Sequence, residues 1–273
     1  MISSKPCSFS HQNHMLLNLE TLCAHIRTRP HETPAQLAAH FGCSRFYLSH
    51  WFRAQTGISL RDYLAALKIE QGIAPLVAQK SVIESQLDAG HASAGTYSNR
   101  FRLHTGLVPS LYREIAAALG AALNKQLADA TPRVVSYFGF HPAAHPQVQP
   151  LHVRIEGAGS GSVVFVALYR EPFPRGAPVL GLALFHGAQG EVMFVPDGRY
   201  YLMACELKPA SYLLHYFCLD HCHRALDFEP LDFPLAAPAT RTLALRPLRA
   251  EDPPITVNLP KLLFDVLGNL RNL

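Results

Sequence analysis

The chain has 273 residues and a mass of 30.1 kDa, which is enough for one large domain or two ordinary ones. Hydrophobic residues make up 49% of it and charged residues 16%, a balance that excludes wholesale disorder and predicts a buried core. No apolar run approaches the ~18 residues of a membrane span, and the first residues lack the pattern of a secretory signal. We therefore expect a cytoplasmic protein without membrane contact, whose six cysteines are thiols.

Charge and proline divide the chain into two halves. Residues 1–131 carry 12 basic and 8 acidic side chains, whereas the rest carries 12 of each, so the whole net charge of +4 lies in the first half. Five of the 21 prolines precede this boundary and 16 follow it. Because proline is common in turns and at strand ends, we expect a helical first half and a mainly β second half.

Short helices are predicted along the first half. Apolar residues at helical spacing from Leu19 indicate a first helix. Thr33 is a natural N-cap for a second helix, which Gly42 ends. Ser44 caps a third helix that runs to Gly57. Two short helices joined by a tight turn that contains glycine form a candidate helix-turn-helix unit.

A shifted copy of this unit follows. At a shift of 49 residues, seven identities fall within 20 positions, which indicates a repeated helical unit. A helix from about Leu60 to Val77 lies between the copies, and Pro75 within it predicts a kink or a cost of ~3 kcal/mol. The matching pairs are Ser44 and Ser93, Ser49 and Ser98, Phe52 and Phe101, Arg53 and Arg102, Thr56 and Thr105, Gly57 and Gly106, and Tyr63 and Tyr112.

The third helix has a basic face opposite its apolar one. Leu48 and Phe52 would be buried, while the other side displays Arg45, Phe46, Ser49, His50 and Arg53. Residues 44–61 contain three arginines and no acid, and so do residues 93–113. A lone basic face is usually a solvated surface. Its duplication instead predicts contact with the phosphates and base edges of double-stranded DNA.

Two stretches carry a family resemblance. The stretch from Phe41 to Gly57, FGCSRFYLSHWFRAQTG, and the stretch from Phe101 to Arg113, FRLHTGLVPSLYR, resemble the DNA-binding domain of AraC/XylS-type transcription regulators. The resemblance implies an all-α domain over 16–117, in which two helix-turn-helix units read successive major-groove faces. It implies base contacts from Phe46, Ser49, His50, Ala94, Gly95, Ser98 and Asn99, and phosphate contacts from Arg45, Arg53, Arg100 and Arg102.

The second unit departs from the family pattern. Ser85 and Gln86 stand where the family has an Ile-Ala pair, and His91 stands where it has Phe. The remaining apolar residues, Val82, Ile83 and Leu87, are expected to pack the helix with less buried area. We therefore predict that the first unit supplies most of the sequence readout, so that His50→Ala weakens binding more than Asn99→Ala.

The second half alternates apolar and polar residues in short runs bounded by Gly and Pro. Roughly eight such runs predict a mainly β sandwich or barrel, with a short helix over Lys261–Leu270. The run Leu151–Leu207 resembles transthyretin-like and carboxypeptidase-regulatory-like sandwiches. We expect a flexible segment over 1–15, a helical linker over 118–132 and a β-sandwich domain over 133–273. That domain would sense a small-molecule effector, form a homodimer or contact RNA polymerase.

A cluster of His and Cys leaves two other functions open. Cys218, His221, Cys222 and His223 are ligand types that Zn²⁺ prefers, which would suit a metal-responsive regulator; the alternative is an ordinary loop with buried thiols. The triplet Cys222-His223-Arg224 resembles the reactive triplet of alkylguanine-DNA transferases, which would make Cys222 an alkyl acceptor. No other catalytic constellation is identifiable, so we expect a regulator that is not an enzyme and that needs no cofactor, unless this cluster binds Zn²⁺.

Overall fold

The computed structural model describes residues 17–144 and 149–267, so the predicted flexible segment 1–15 lies outside the described residues. Helices make up the first half, as expected. Within the described part of the chain they are α1 (Leu19–Thr28), α2 (Pro34–His40), α3 (Arg45–Thr56), α4 (Leu60–Val77), α5 (Val82–Asp88), α6 (Ala94–Thr105) and α7 (Pro109–Ala128).

Local capping explains where these helices begin and end. Capping boxes open α2 and α5. The hydroxyls of Ser44 and Ser93 accept backbone N–H groups at the start of α3 and α6. Gly57 and Gly106 end the same two helices in left-handed backbone, with φ of 72° and 80°. Two of the identical pairs in the sequence repeat, Ser44 with Ser93 and Gly57 with Gly106, are therefore helix caps.

The repeat extends to the core contact of the following helix. The Phe52 and Tyr63 rings lie 5.2 Å apart between α3 and α4, and the Phe101 and Tyr112 rings lie 5.2 Å apart between α6 and α7. All four rings are buried. The helices α2 to α4 and α5 to α7 therefore form two copies of one arrangement.

The predicted packing of α5 is wrong. Ile83 and Leu87 are exposed, at 68% and 65%, whereas Ser85 and Gln86 are buried. The turn over 89–93 is one residue longer than the turn over 41–44, so the shift that aligns α3 with α6 does not align α2 with α5. When the helices are aligned on their N-caps, Ser85 and Gln86 take the places of buried residues of α2.

Pro75 does not end the linker helix. The helix α4 continues past it to Val77, and the next residue, Ala78, forms the C-cap. The proline therefore lies in the last turn, where its missing N–H removes one hydrogen bond without shortening the predicted helix.

The second half contains strands, as expected, and a final helix. Those described are β1 (Arg133–Phe138), β2 (Leu151–Glu156), β3 (Val163–Tyr169), β4 (Leu180–Phe185), β5 (Gln189–Val192), β6 (Gly198–Leu207), β7 (Arg224–Leu226), β8 (Leu231–Phe233), β9 (Ala239–Ala244) and α8 (Leu259–Leu267). The helix begins before the predicted Lys261, and residues 268–270 lie outside the described residues.

The strands form two sheets. The larger has the order β1-β4-β3-β6-β7, with β8 also paired to β6, and all its pairs are antiparallel. The smaller has the order β5-β2-β9, in which β2 and β9 are parallel. One apolar cluster contains residues of both sheets, among them Val153 of β2, Val166 of β3 and Leu243 of β9.

The other face of the larger sheet packs on the helices. Val163 and Phe165 of β3 belong to the same buried cluster as Phe101, Tyr112 and Leu119. Strand β3 is therefore buried on both faces, as alternation of side chains along a strand allows. The helical and β regions share this core, which we call the shared core.

The predicted linker 118–132 contributes to the shared core. Its first part continues α7, and Leu119, Leu123 and Leu127 of that helix are buried there. These residues recur at i, i+4 and i+8, so they form one apolar stripe along the helix, which faces the core. The segment is consequently a packed element of the fold.

Candidate nucleic-acid interface

The residues predicted to contact DNA from the first unit lie on the solvent side of α3. Leu48 and Phe52 anchor the helix in a buried cluster formed by α1 to α4, which we call the first-unit core. The opposite side is open to solvent, and Phe46 is 66% exposed. This side displays Arg45, Phe46, Ser49, His50 and Arg53, all of which are exposed.

Two contacts organise that face of α3. The Arg45 guanidinium lies over the Phe46 ring, 4.7 Å from its centroid. The Ser49 hydroxyl donates to the Arg45 carbonyl at 2.8 Å, so its lone pairs remain available to a donor. The face thus combines an aromatic surface, a cation and a hydroxyl acceptor.

The second predicted face lies on α6 and begins with small residues. Tyr97, Phe101 and His104 are buried beneath it. A Cβ placed on Gly95 would meet no atom within 4 Å, so the start of this helix is sterically open. The predicted residues Ala94, Gly95, Asn99 and Arg102 are exposed, and Ser98 and Arg100 are half-buried.

A basic groove lies between the two units, and sequence reasoning missed it. Arg61 and Lys68 of α4 and Arg100 of α6 line a depression of about 270 Å³, and the only acidic side chain in its described lining is that of Glu32. Burial lowers the pKa of His91 at its edge, and the charges of Lys68 and Arg100 lower it further. The available signal was the spacing of Arg61 and Lys68, seven residues apart and hence on one face of α4.

The loop between β3 and β4, residues 170–179, touches the C-terminal ends of both candidate recognition helices. A Cβ on Gly57, after α3, would lie 2.8 Å from the Pro172 ring. After α6, the Gly176 N–H donates to the His104 carbonyl at 2.7 Å. Phe173 enters the first-unit core. One loop of the β region therefore contacts both units.

A second β-region segment, residues 246–257, holds α1. Arg27 donates to the carbonyl oxygens of Ala250 at 2.9 Å and Asp252 at 2.5 Å. Arg246 binds the buried Asp252 carboxylate through two hydrogen bonds of 2.7 Å. Burial raises the pKa of Asp252, but hydrogen bonds from Arg246 and Arg249 outweigh this and hold it below its usual value.

His104 links α6 to the same segment. Its Nδ1 lies 3.0 Å from the Thr256 hydroxyl, and its ring meets the Phe173 ring edge-on at 6.0 Å. Burial and, to a smaller extent, the nearby Arg175 and Arg100 together lower the pKa of His104 to about 4, although Asp62 opposes them. The imidazole is therefore neutral in the folded protein at pH 7.

The four predicted metal ligands do not converge. The Cys222 sulfur lies 3.6 Å from Nε2 of His221, but the Nδ1 atom of His223 lies 3.6 Å from the Glu206 carboxylate, and Cys218 packs against the shared core. His221 is exposed. Across residues 17–144 and 149–267, no group of three or more His, Cys, Asp and Glu side chains is arranged to hold a metal ion. Residues 218–223 form an irregular segment before β7, in which Cys218 is turned toward the shared core and His223 toward Glu206.

Comparison with known proteins identifies the helical region. Residues 37–115 match the family model described as a helix-turn-helix domain, of the AraC type. No curated protein shows a significant match to the chain. Among the described residues, no helix is long and apolar enough to cross a membrane.

Solved structures of regulators are also similar to part of the chain. The DNA-binding transcriptional dual regulator of Escherichia coli K-12 is 22% identical over 39% of this chain and 99% of that chain, with a TM-score of 0.34. The DNA-binding domain of AdpA, in complex with a target DNA, is 27% identical over 37% and 93%, with a TM-score of 0.34. The C-terminal domain of the response regulator yesN of Fusobacterium nucleatum is 22% identical over 35% and 93%, with a TM-score of 0.32. By the family match alone, residues 37–115 form an AraC-type helix-turn-helix domain within a longer chain.

Proposed function

We propose that this protein is a sequence-specific DNA-binding transcription regulator that inserts α3 and α6 into successive major grooves. The observation that carries the proposal is the pairing of two exposed helix faces without acidic residues, on two copies of one capped arrangement. The AraC-type domain match over 37–115 supports the same conclusion. A major groove admits an α-helix, and base edges there can be read by its side chains.

The two faces would read DNA differently. On α3, His50 and Ser49 would meet base edges while Arg45 and Arg53 contact phosphates. On α6, Asn99 would pair with an adenine edge, and the small Ala94 and Gly95 side chains would let the duplex approach the helix backbone closely. The larger and more varied face of α3 favours the first unit as the main source of specificity.

The groove between the units suits the phosphates that separate the two major-groove contacts. Arg61 and Lys68 of α4 and Arg100 of α6 supply three cations there. Phosphate contacts position a protein on the duplex without reading its sequence. These residues would therefore add affinity and salt dependence but little specificity.

The β region would act on the DNA-binding units through the loop 170–179. Because this loop touches the ends of both α3 and α6, a change in the β region would alter the spacing of the two helices. A small-molecule effector, a second copy of the chain or RNA polymerase would each exert its effect through that contact.

Selection of binding sites from random duplexes tests the proposal. We expect one enriched motif with two half-sites about 10 base pairs apart. On the selected site, His50→Ala should lower affinity by about 10- to 100-fold, which corresponds to ~1–3 kcal/mol for a base contact. Asn99→Ala should have a smaller effect. Absence of any enriched motif, or a larger loss for Asn99→Ala, would contradict the respective part of the proposal.

Salt titration separates phosphate from base contacts. Lys68→Ala should weaken binding to every duplex alike and reduce the slope of log affinity against log salt by about one. Arg199→Ala, which removes an exposed cation of β6 far along the chain, is the matched control and should leave the slope unchanged. Equal effects of the two variants would show that the groove does not contact phosphates.

A further inference from the structure

A cleft lies between the larger sheet and α8. Strands β1, β4 and β3 form one of its walls, and one face of α8 forms the other. The side chains of that face recur at i, i+3, i+4 and i+7 and are all apolar: Leu259, Leu262, Leu263 and Val266. None of the described residues that line the cleft is charged. The cleft is therefore an apolar space beside the shared core.

Small residues in the middle of the sheet leave this space open. In the strand register, Gly181 of β4 lies between Tyr137 of β1 and Ala167 of β3. Ala183 lies two residues along β4 and hence on the same face. A Cβ on Gly181 would come within 3.5 Å of Pro178 and 3.7 Å of Tyr137, both of which line the cleft. Three neighbouring positions thus carry little or no side chain beneath α8.

The room in the cleft corresponds to one aromatic ring. The centre of a water molecule can occupy about 30 Å³ of it. A spherical cavity of about 150 Å³, which is large enough to bind benzene, leaves about 30 Å³ for that centre, because the centre stays about 1.4 Å from the wall. Protein interiors are otherwise close-packed, so a void of this size is uncommon.

A buried hydroxyl without a partner lines the same cleft. Tyr169, the last residue of β3, is 6% exposed, and no hydrogen bond joins its hydroxyl to another described residue. Burial raises the pKa of this hydroxyl, so it stays protonated at pH 7 and can donate. Because a buried polar group without a partner is costly, a ligand atom that accepts this hydrogen bond would be stabilised there.

We propose that this cleft binds a neutral molecule with one aromatic ring and one oxygen that accepts a hydrogen bond from Tyr169. The small residues and the face of α8 provide an apolar slot of the size of the ring. The Tyr169 hydroxyl provides the single polar contact that orients it. A charged ligand is disfavoured, because it would lose its hydration without gaining an opposite charge in the described lining.

The cleft adjoins the loop 170–179, which contacts the ends of both candidate recognition helices. Tyr169 directly precedes this loop and Pro178 lies near its end, and both line the cleft. A bound ring would therefore touch the loop at both ends. As the site of a small-molecule effector, the cleft deepens the proposed function and rests on it. Binding of the ring itself requires no DNA and can be measured separately.

Titration of the full chain with phenol at pH 7, followed by calorimetry without DNA, tests the site. We expect one phenol per chain. Tyr169→Phe should weaken phenol binding by about 2- to 10-fold, since one hydrogen bond is lost. It should leave the affinity for toluene unchanged, because toluene has the same shape but no oxygen. Tyr212→Phe, which alters a ring that is 74% exposed, is the matched control and should bind phenol as the wild type does.

A variant that fills the cleft gives the larger effect. Ala167 is half-buried, and Ala167→Leu should lower the affinity for phenol and toluene by about 10-fold or more because its side chain takes the place of the ring. Ala244→Leu, at an exposed position of β9, is the matched control and should bind normally. Far-UV circular dichroism checks that both variants fold. If Ala167→Leu does not, nuclear Overhauser contacts from phenol to the methyl groups of Leu262 and Val266 in the wild type decide the question.

Three results would overturn the proposal: no saturation of the wild type at millimolar phenol, undiminished binding by folded Ala167→Leu, or Overhauser contacts to another part of the chain. Affinity for the selected duplex, measured with and without phenol, then tests the effector role. We expect a change of about 5-fold or more in the wild type and none in Ala167→Leu. Phenol binding with unchanged DNA affinity would overturn the effector role. A chain that binds phenol but no duplex would contradict the proposed function instead.

Discussion

The two helix-turn-helix units share their caps and ring contacts but are stabilised in different ways. In the first unit, Leu37 and Ala38 of α2 are buried among the apolar residues of the first-unit core, to which the β region adds the buried ring of Phe173. In the second unit, the corresponding residues of α5 are polar. Its buried rings, Tyr97 and Phe101, belong instead to the shared core.

The polar residues of α5 are paired. The Ser85 hydroxyl donates to the Gly72 carbonyl at 2.8 Å and lies 2.5 Å from the Tyr97 hydroxyl. The Gln86 amide donates to the His91 carbonyl at 2.9 Å. Buried polar groups that keep their hydrogen bonds cost little. The comparison teaches that one repeated unit can use its own apolar core while the other depends on a neighbouring sheet.

Removal of the equivalent rings gives the largest expected effect. Phe52→Ala and Phe101→Ala should each lower the free energy of unfolding by ~3–5 kcal/mol, since each leaves a cavity among buried neighbours. The rate of amide hydrogen exchange in each region should distinguish the two variants. Phe52→Ala should increase exchange in α1 to α4, and Phe101→Ala should also increase it in β3 and β4. Unchanged exchange in those strands would contradict dependence of the second unit on the sheet.

Acid should act on the second unit through His104. Its pKa lies at about 4 in the folded protein, below the ordinary 6.5, so the unfolded chain binds the proton more readily. Stability is therefore present above pH 6.5 and is lost as the pH falls toward 4, by up to ~3 kcal/mol. Urea unfolding at a series of pH values measures this.

A matched pair of variants isolates the histidine. His104→Asn should flatten the pH dependence between pH 6.5 and 4, because the titrating ring is absent. His50→Asn, on the exposed side of α3, should leave the profile as it is in the wild type. An unchanged profile in His104→Asn would refute the assignment.

The polar contact of α5 has a smaller expected effect. Ser85→Ala removes the partner of the buried Tyr97 hydroxyl and should cost ~1–3 kcal/mol. In a Tyr97→Phe background the same substitution should cost less, because no hydroxyl is left unpaired. A double-mutant cycle from urea unfolding measures the coupling. Additive costs would indicate that Ser85 and Tyr97 do not stabilise each other.

The smallest expected effect is a difference between two C-cap glycine variants, and it tests the contact with the β region. Gly57→Ala and Gly106→Ala should each cost ~1–2 kcal/mol, since both positions have left-handed backbone. Only the Cβ at Gly57 meets Pro172, and Gly106 has nothing within 4 Å. Gly57→Ala should therefore cost about 1 kcal/mol more. Pro172→Ala should remove that difference, and thermal unfolding can show whether it does.

Much of the helical half could be predicted because its signals are local. The caps of Ser44 and Ser93 and the glycines after α3 and α6 act within a few residues, so spacing alone located the helices. The buried face of α5 could not be predicted in the same way. One extra residue in its turn changed the alignment, and apolar character favoured Ile83 and Leu87 over the polar residues that are buried.

The β half was predictable only as a class of structure. Alternation indicated strands, but pairing between strands depends on contacts that one sequence does not record. The basic groove at Arg61 and Lys68 was missed because it needs the placement of α6 beside α4. The proposed roles of the predicted DNA-contacting residues remain predictions, although the exposed face of α3 lies where its spacing indicated.

The sequence by itself determined the boundaries of α3 and α4, the repeated unit and the acid-free faces, because caps and helical periodicity are properties of neighbouring residues. Only the tertiary structure decided that the two halves share a core and that one β-region loop touches both units. Arg27 and Asp252, which join the halves, are 225 residues apart. A contact across that distance arises from the packing of whole sheets and helices, and no local pattern encodes it.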